Sequence, residues 1–511
     1  MNHRNSVLTI SGSIVFIFIL AFGIAAGPKI LCQISIPFPL SILVSVTGLQ
    51  HCTPQTILSF KGSNTIGGKL LPALAKTFLQ QEGYADIHEV PGYLTKEEIF
   101  IVGRRNDHDE QIEIQAQGTK TAFEGLISGS CDIGMASRKV KPEDLKISLS
   151  TEEQQKTKPD YDRVFHEKQQ NLKKLGDLAS ETSEHVIAMD GIALIVHPSN
   201  PINTLSIEQI ADIFCGSLND WSQLGGQPGT IDVYARDDKS GTYDFFKKAV
   251  LSKAHCKSNA KGEKELAARA QRFADSKELS AAVSHDPVGI GFIGFNYIFS
   301  NKVIAISDVG VAARKPSLLT IKTEDYLLSR RLYLYIAENN TNPVVSKFIE
   351  FAVGADGQRV VESAGLVSLD VTPPPSDHLG EIDSSDPRMQ SPRWRSLTDA
   401  AAEIPTHLRF HPNSNELDNR AKLDIGRIIE KMSQPDYRGR KLVLIGFADS
   451  RGTRKDNLAL SQSRADRVKY LLTVNGATVL NAEGIGAEAF VAPNDTDENR
   501  EKNRRVEVWL K

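Results

Sequence analysis

The chain has 511 residues, of which 40% are hydrophobic, and this length and composition predict two or three domains with apolar cores. Its 60 Lys and Arg residues nearly balance its 63 Asp and Glu residues, so the formal net charge is -3. Such a balance gives no overall attraction to polyanions, and we expect no nucleic-acid partner.

The first 54 residues predict an export signal or a membrane anchor. His3 and Arg4 precede an uncharged apolar stretch from Val7 to Ala26, which is long enough for either. A second apolar stretch, from Ile30 to Leu49, leaves the processing point open. In both cases the rest of the chain is expected to be exported.

Residues 55–370 alternate short apolar strands with amphipathic helices, a pattern typical of an α/β domain. A strongly charged insertion from Lys139 to Glu184 interrupts the pattern. Beyond the export segment the cysteines are Cys131, Cys215 and Cys256. At most one disulfide can form among them, and Cys215 with Cys256 is the expected pair.

Residues 61–70 read KGSNTIGGKL, which comes close to a nucleotide-binding phosphate loop. Such a loop needs a lysine directly after its second glycine, and Gly68 occupies that place, so the nucleotide interpretation fails. What remains is a polar loop before a helical pattern in which Leu70, Leu74 and Phe78 recur every four residues. The free N–H groups and the dipole of a helix start favour a small anion, although most such residues only cap helices.

Two further strands end in polar turns that open helices. A strand over residues 112–117 leads into Gly118–Thr121, and a strand over residues 231–235 leads into RDDKSGT, Arg236–Thr242. In an open α/β sheet, ligands bind where such turns converge at the carboxyl ends of strands. Arg236 adds a planar fork of donors, so these turns predict an oxyanion site. The alternative is an Arg–Asp surface pair beside an ordinary helix cap.

Residues 371–403 predict a linker, because VTPPPSD and the Ser-, Pro- and Asp-rich stretch after it do not suit a packed element. An extended, semi-rigid linker would let the flanking domains bind their ligands independently. Residues 404–511 predict a small α+β domain. Its elements are a helix carrying Ala421, Ile425, Ile428, Ile429 and Met432, a strand over residues 441–449, a helix carrying Ala465, Val468 and Leu472, and a strand from Arg504 to Leu510.

Several stretches of the first domain resemble the phosphate-binding proteins of bacterial phosphate ABC transporters. In chain order they are FKGSNTIGGKLLPALAKTF, SGSCDIGMASR, DIFCGSLNDWSQLGG, VYARDDKSGTYDFF and DPVGIGFIGF. The resemblance spans nearly all of residues 57–370 and implies a two-lobed, type II periplasmic-binding-protein-like fold that closes on inorganic phosphate. It implies no cofactor, and a phosphate ABC permease is the partner that such a receptor would serve.

The resemblance also carries anion contacts onto individual residues. These are Thr65, the backbone N–H of Ile66, Thr121, Ser137, Arg236, Ser240, Gly241 and Thr242.

Arg138 departs from the pattern of this family. Many members have a carboxylate there, directly after a serine, which accepts the proton of hydrogen phosphate and so rejects sulfate. An arginine would strengthen binding of a dianion but cannot accept a proton. Asp237 or Asp238 is the expected substitute acceptor, and selectivity for phosphate over sulfate stays open.

The last domain resembles the OmpA-like peptidoglycan-binding domain through GFADSRGTRKDNLALSQSRADRV and NDTDENREKNRRVEV. The resemblance implies that the ligand is diaminopimelate in the peptidoglycan stem peptide, with Asp449 meeting its ammonium group and Arg464 its carboxylate. Asn413, Asn457 and Arg504 match further positions around that pocket. The alternative is a solvated Asp–Arg salt bridge at a turn.

Taken together, these resemblances imply a phosphate receptor tethered non-covalently to peptidoglycan, in the periplasm or envelope of a Gram-negative-type bacterium. We expect no enzyme and no metal site, because HEKQQ at His166 lacks a second histidine and the 12 histidines do not cluster at metal-ligand spacing. The competing hypotheses are a structural or sensory envelope protein that binds another oxyanion, and an enzyme acting on phosphate esters.

Overall fold

The structure is a computed structural model, and it describes residues 54–92, 95, 97–145, 171–238, 240–258, 262, 264–373 and 386–511. The predicted export segment, apart from Pro54, lies outside these residues, as do most of the charged insertion, including His166, and residues 374–385 of the predicted linker. Among the described residues, no helix combines the length and the apolar content that a membrane span requires.

The described strands, in chain order, are β1 Gln55–Gly62, β2 Ala85–Pro91, β3 Glu98–Arg105, β4 His108–Gln115, β5 Ile133–Ala136, β6 Glu184–Val196, β7 Thr204–Ser206, β8 Asp232–Arg236, β9 Gln271–Phe273, β10 Gly289–Gly294, β11 Lys302–Val303, β12 Ala305–Asp308, β13 Val311–Arg314, β14 Ser329–Ile336, β15 Ala402–Arg409, β16 Leu442–Gly446, β17 Val479–Gly484 and β18 Arg505–Leu510.

The α-helices of the same residues are α1 Leu71–Gln81, α2 Thr119–Ser128, α3 Ile207–Cys215, α4 Gly241–Ala249, α5 Ser276–Ser284, α6 Leu318–Lys322, α7 Pro343–Val353, α8 Ala355–Ser363, α9 Pro392–Thr398, α10 Asn419–Ser433, α11 Arg454–Val474 and α12 Asp497–Asn503.

An eleven-stranded sheet runs through the first domain in the order β2-β3-β4-β1-β5-β14-β6-β10-β8-β9, with β11 paired to β6. At its centre, β14 is antiparallel to both β5 and β6. Strands β1–β5 with α1, α2, α7 and α8 form one lobe, and the strands beyond β6 with α3, α4 and α5 form the other. This arrangement confirms the predicted two-lobed α/β fold.

Two large apolar clusters form the core of this domain. In the first, the rings of Phe60 and Phe348 meet edge to face with their centroids 5.0 Å apart. In the second, Phe246 stacks on Phe292 with a centroid distance of 3.9 Å, and Phe214 packs against both. The second cluster also includes residues of α2 and β5, so it extends across both lobes. Buried aromatic clusters of this kind contribute large apolar areas and stabilise the domain.

The carboxyl ends of β1, β4 and β5 lie at one edge of the sheet, because β1 is parallel to both of its neighbours. Gly62 ends β1 with a φ of +136°, and a side chain there would place its Cβ 2.0 Å from the carbonyl oxygen of Met135. The close approach lets Ser63 N–H donate to that carbonyl at 2.8 Å and Gly118 N–H donate to the Gly62 carbonyl at 2.7 Å. The loops that follow the three strands are therefore tied together.

The last domain has a four-stranded sheet in the order β15-β18-β16-β17 with α10 and α11 packed on it. The predicted helices fall within α10 and α11, and the predicted strands coincide with β16 and β18 apart from their ends. The domain is the small α+β fold that the sequence predicts.

The prediction of an extended, unpacked linker is wrong for its second half. Pro387–Gln390 form a 3-10 helix and α9 follows, beginning at Pro392, which suits the first turn of a helix because it needs no N–H partner there. The Trp394 side chain is buried and meets Trp509 edge to face at 5.4 Å. At the other end, Val371 joins the core of the last domain. These prolines start a packed helix instead of preventing one.

The two domains are also not held apart, as the linker prediction implied. Buried ion pairs join them: Arg331 Nη1 lies 2.7 Å from Asp418 Oδ2, and Arg420 Nη1 lies 2.8 Å from Glu324 Oε1. All four side chains are at most 7% exposed. More exposed pairs extend the contact to both lobes: Lys139 with Glu501 at 2.6 Å, Lys141 with Glu498 at 3.3 Å, and Lys253 with Asp495 at 3.0 Å.

Candidate functional site

The first candidate site lies where the loops after β1, β4 and β5 face α4 of the other lobe. Thr65 directly precedes a π-helical turn, Ile66–Leu70, which leads into α1. Ile66 is fully buried, and its backbone N–H is the group predicted to meet the anion. On the adjacent loop, Ser137 N–H donates to Thr119 Oγ1 at 3.1 Å, and the Thr121 hydroxyl donates to the Gly118 carbonyl at 2.9 Å.

Helix α4 presents its first turn to this edge from the opposite lobe. Ser240 caps the helix, and its Oγ accepts a hydrogen bond from Thr242 N–H at 3.2 Å. Gly241 lies so close to Thr65 that a Cβ added to it would be 2.1 Å from the Thr65 hydroxyl oxygen. The structure thus brings Thr65 and Gly241 together across the cleft, with Thr242 next to Gly241 in the chain. Two helix starts with positive dipole ends therefore approach each other.

Arg236 ends β8 with its guanidinium held by the segment that leads into α5. Its Nε donates to the Phe273 carbonyl at 3.2 Å and its Nη2 to the Ala274 carbonyl at 2.7 Å, and its Nη1 donates to Ser276 Oγ. Burial lowers the pKa of Arg236. These bonds fix the guanidinium in one orientation, which leaves two of its five N–H groups for another acceptor.

Arg138 is paired with a carboxylate of the segment that follows it. Its guanidinium forms two bonds to Asp144, of 2.6 and 2.7 Å. Burial alone would raise the pKa of Asp144, but the bonds from Arg138 and from the Lys141 backbone lower it. The Arg138 charge is therefore already neutralised within its own lobe.

The predicted proton acceptor Asp238 also points elsewhere. Its side chain is 86% exposed and pairs with Arg272 Nη2 at 2.5 Å, while Arg272 lies over the ring of Tyr243 at 4.2 Å. The neighbouring Asp237 is half-buried, and its backbone N–H donates to the Phe273 carbonyl at 3.0 Å.

Two charged residues at the centre of the cleft were missed by the sequence analysis. Arg330 on β14 donates to the Thr65 hydroxyl at 2.9 Å and to the Gly241 carbonyl at 3.2 Å, so one side chain touches both lobes. It also donates twice to Asp190 Oδ2 on β6, at 2.9 and 2.7 Å. The guanidinium lies 4.6 Å over the ring of Phe245.

A signal for this pair was present in the sequence. Asp190 interrupts the apolar run of EHVIAMDGIALIV, and Arg330 with Arg331 opens the otherwise apolar strand SRRLYLYI. A charge inside a buried strand requires a partner, so two such residues predict each other.

The second candidate site lies at the end of β16 in the last domain. Asp449 accepts one hydrogen bond from Arg451 N–H at 2.9 Å and one from Arg504 Nη1 at 3.0 Å. Arg464, on α11, donates through Nε to the Ser414 carbonyl at 3.0 Å and through Nη1 to the Phe447 carbonyl at 3.1 Å. Asp449 is thus paired with Arg504 and not with Arg464.

Arg464 has unused hydrogen-bonding capacity. Its side chain is fully buried, yet its Nη2 has no hydrogen-bond partner among the described residues. Burial, together with the nearby charge of Arg504, lowers the pKa of Arg464 to about 10 against the opposing charge of Asp449. A buried donor without an acceptor costs free energy, so a bound carboxylate would be stabilised there.

Asn413 and Asn457 lie on the segments that frame this second site. Asn413 has a left-handed backbone, with φ of +51°, directly before the Ser414 carbonyl that accepts from Arg464. Asn457 is buried in the first turn of α11, where its N–H donates to the Thr453 carbonyl at 2.9 Å. All five residues predicted for this site therefore lie on the elements that form it.

Comparison with known proteins assigns both domains. Residues 102–356 match the family model of the PBP superfamily domain, and residues 409–504 match the model of the OmpA family. The chain joins a PBP superfamily domain to an OmpA family domain.

Individual proteins are similar to parts of the chain. The chain is 28% identical over 274 residues to the phosphate-binding protein PstS of Staphylococcus saprophyticus, an alignment that covers 52% of this chain and 73% of that protein. A solved ABC-type phosphate transport receptor from Vibrio cholerae matches with 20% identity and a TM-score of 0.43, over 61% of this chain and 99% of that chain. The peptidoglycan-associated lipoprotein of Burkholderia pseudomallei matches with 24% identity and a TM-score of 0.19, over 20% and 89% of the respective chains.

One group of metal-type ligands occurs among the described residues, in the OmpA family domain. Glu403, His407 and Glu507 have ligand atoms within 4.8 Å of one another. However, Arg388 Nη1 lies 3.4 Å from Glu403 and 3.1 Å from Glu507, and Arg505 Nη2 lies 2.8 Å from Glu507. Guanidinium groups therefore already neutralise these carboxylates, and the set does not fit a metal cation.

The predicted Cys215–Cys256 disulfide is not formed in this structure, where both are free thiols. They are nevertheless neighbours in the PBP superfamily domain. Burial, followed by a hydrogen bond with Cys215, raises the pKa of Cys256 to about 11.

Proposed function

We propose that this protein is an exported receptor that binds inorganic phosphate in the cleft of its PBP superfamily domain and is attached to peptidoglycan by its OmpA family domain. The observation that carries the proposal is the contact of one buried guanidinium, Arg330, with both Thr65 and Gly241, at helix starts of opposite lobes. A receptor that closes on a small anion needs donors from both lobes at one point. The curated relative, a protein named for binding phosphate, supports the choice of anion.

The donors of the cleft suit a tetrahedral oxyanion. The helix starts at Thr65 and Gly241 offer backbone N–H groups and positive dipole ends, and Ser240 adds a hydroxyl. Arg330 uses four of its five N–H groups within the protein and retains one, and Arg236 retains two. An anion smaller than a nucleotide matches this set, because Gly68 and not a lysine stands at the place where a nucleotide-binding loop needs one.

We infer that the protein is a binding protein and not an enzyme. Hydrolysis of a phosphate ester needs a nucleophile with its base, or metal ligands, beside the anion. The groups that meet at this cleft among the described residues are hydroxyls, backbone amides and guanidinium groups, with one carboxylate held by Arg330. The matched curated relative is likewise named as a binding protein.

The OmpA family domain is proposed to hold the stem peptide of peptidoglycan through a zwitterionic amino acid such as diaminopimelate. Arg464 provides the unpaired, buried Nη2 for a carboxylate, and Asp449 provides the negative charge for an ammonium group. Carboxylate and ammonium on one carbon require this pairing of opposite charges at short range.

The proposed location is the periplasmic side of the envelope of a Gram-negative-type bacterium, with the apolar segment from Val7 to Ala26 serving as signal or anchor. A phosphate ABC permease is the proposed partner for uptake.

Isothermal titration calorimetry of the full-length protein with phosphate and with a phosphate monoester tests the proposed binding function. We expect one phosphate per chain with a Kd in the micromolar range or tighter, about -8 kcal/mol. We expect the monoester to remain intact and to bind far more weakly. An Arg236→Ala variant should lose about 2 to 5 kcal/mol of phosphate affinity. A wild-type Kd for phosphate weaker than millimolar would refute the proposed function.

A further inference from the structure

Asp190 has a carboxylate oxygen that the protein does not use. Both bonds from Arg330 go to Oδ2, and Oδ1 accepts no hydrogen bond from any of the described residues. The side chain is about one-tenth exposed, although the strand that carries it is otherwise buried on both sides. Oδ1 is not one of the buried side-chain oxygens that lack a partner, so it keeps contact with solvent and is open to a donor from a ligand.

The position of Asp190 follows from its partner. Arg330 touches Thr65 on one lobe and Gly241 on the other, and the same Nη2 that donates to Thr65 also donates to Asp190. The carboxylate therefore lies one guanidinium group away from the point where the two helix starts meet. The other groups at that point, which are backbone amides, hydroxyls and guanidinium N–H groups, are mainly donors.

Of the two carboxylates that the sequence favoured, Asp238 is exposed and paired with Arg272. Asp237 is half-buried on the same segment, where its backbone N–H donates to the Phe273 carbonyl. Asp190 is the carboxylate bonded directly to Arg330, the residue that contacts both helix starts.

We propose that Asp190 is the specificity-determining residue of the cleft: its carboxylate accepts a hydrogen bond from the protonated oxygen of phosphate and so excludes sulfate. This inference rests on the proposed phosphate-binding function and names the selectivity of that same site. Arg330 then has a second role, which is to position the Asp190 carboxylate through the two hydrogen bonds that it donates to Oδ2.

The selectivity follows from proton content. Near neutral pH phosphate carries one or two acidic protons and sulfate carries none. A carboxylate oxygen gains a hydrogen bond from phosphate, whereas it meets only lone pairs and negative charge on sulfate. A site with a buried polar group that needs a donor can reject a ligand lacking it by about 10⁴-fold or more, since the group is left unpaired.

The test is calorimetric titration of phosphate and sulfate into full-length wild type, Asp190→Asn and, as a matched control, Asp244→Asn. Asp244 lies exposed on α4, paired with Lys248 at 2.7 Å. We expect wild type to prefer phosphate by at least about 100-fold. Asp190→Asn should weaken phosphate at least about tenfold while sulfate binds as well as before or more tightly, and Asp244→Asn should keep the wild-type ratio.

Two further titrations of the wild-type protein, with arsenate and with selenate, test the inference even if Asp190→Asn does not fold. Wild type should bind arsenate, which carries protons as phosphate does, and should reject selenate, which carries none. Equal binding of arsenate and selenate would overturn the proposal. An equal loss of phosphate and sulfate in Asp190→Asn would also overturn it, as would a narrowed ratio in Asp238→Asn. Wild type that binds no phosphate at all would instead refute the proposed function, and this inference with it.

Discussion

The molecule has two junctions, and they are built in opposite ways. In the cleft between the lobes, Thr65 and Gly241 approach each other at helix starts, and the ion pair of Arg330 with Asp190 lies beside them. At the junction with the OmpA family domain, carboxylates such as Glu324 meet several arginines at once, with every side chain nearly buried. The first junction keeps donors available for a ligand, whereas the second uses its charges to hold two domains together.

The two junctions share one strand, β14. The arginines Arg330 and Arg331 are neighbours on β14, and they serve opposite junctions: Arg330 contacts the cleft and Arg331 contacts Asp418 of the OmpA family domain. The central strand of the lobes therefore also carries the domain interface. The OmpA family domain is docked on the strands that connect the lobes, and it does not hang from a free tether.

The largest expected effect is a loss of stability on substitution of Glu324. Its Oε1 lies 2.8 Å from Arg331 Nε and from Arg420 Nη1, and 3.4 Å from Arg409 Nε. Burial alone would raise the pKa of Glu324, but these guanidinium groups lower it. Glu324→Ala leaves three buried cations without their carboxylate, and it should reduce the free energy of unfolding by about 3 to 5 kcal/mol.

Urea denaturation followed by circular dichroism measures this loss. The matched control is Glu82→Ala, because Glu82 forms an exposed pair with Lys347 at 3.4 Å and should change the unfolding free energy by less than about 1 kcal/mol. Equal effects of the two substitutions would mean that the docked interface does not form in solution.

The second expected effect concerns whether the two domains unfold together. Because buried pairs join the domains, the wild-type protein should unfold in a single calorimetric transition. Arg331→Ala strands Asp418 and should cost about 3 kcal/mol, enough to separate the unfolding of the two domains into two transitions. Differential scanning calorimetry distinguishes the cases, and two transitions already in wild type would favour the independent domains that the linker composition predicted.

The third expected effect is on wall binding. Arg464→Ala removes the unpaired buried donor of the second site and should weaken association with diaminopimelate-containing peptidoglycan by about 1 to 3 kcal/mol. Sedimentation with purified peptidoglycan measures the association. Asp449→Ala, which removes the negative charge proposed for the ligand's ammonium group, is the second variant. Arg467→Ala, an exposed arginine on the same helix, is the control. Equal pelleting of Arg464→Ala and Arg467→Ala would refute the assignment of the pocket.

The smallest expected effect is a pH dependence of the interface. A buried network there balances four acids with four bases: Asp325, Asp386, Glu403 and Glu507 with Arg314, Arg388, Arg505 and His407. Burial alone would lower the pKa of His407, but Asp325 and Glu403 raise it above its ordinary value of 6.5. The four positive charges equal the four negative charges only when the His407 imidazole is protonated.

A raised pKa in the folded state gives stability that is fully present below about pH 6.5 and is lost as pH rises through the folded pKa. Unfolding free energies measured between pH 6 and 9 should therefore fall with pH, by at most about 1.4 kcal/mol per unit for this group. His407→Gln should remove that part of the slope. A wild-type slope unchanged in the variant would assign the pH dependence to other groups.

Much of the fold could be predicted from the sequence because local periodicity determines strands and helices. The loops after β1, β4 and β8 were found at the carboxyl ends of strands, since a strand followed by Gly, Ser or Thr and a helix is a local pattern. The pair of Asp190 with Arg330 was not found, because its members are 140 residues apart and periodicity does not show which strands are neighbours.

The docked domain escaped prediction for a different physical reason. Proline and serine were interpreted as marks of an extended chain, yet Ser391 and Pro392 cap and start α9, and Trp394 then packs under the sheet. The charges of the interface could not be recognised from the sequence, since a charged side chain on a helix such as α10 is usually solvated. Burial of a charge becomes evident only when the partner domain is in place.

Phosphate binding between the lobes at Arg330 is the central feature of the proposed function. Calorimetric titration of phosphate into full-length wild type and Arg330→Ala tests it most directly. The account predicts micromolar or tighter binding by wild type and a loss of about 2 to 5 kcal/mol in the variant, because Arg330 is the side chain that bonds both Thr65 and Gly241. Equal phosphate affinity in the two proteins, both folded by circular dichroism, would mean that Arg330 does not hold the phosphate.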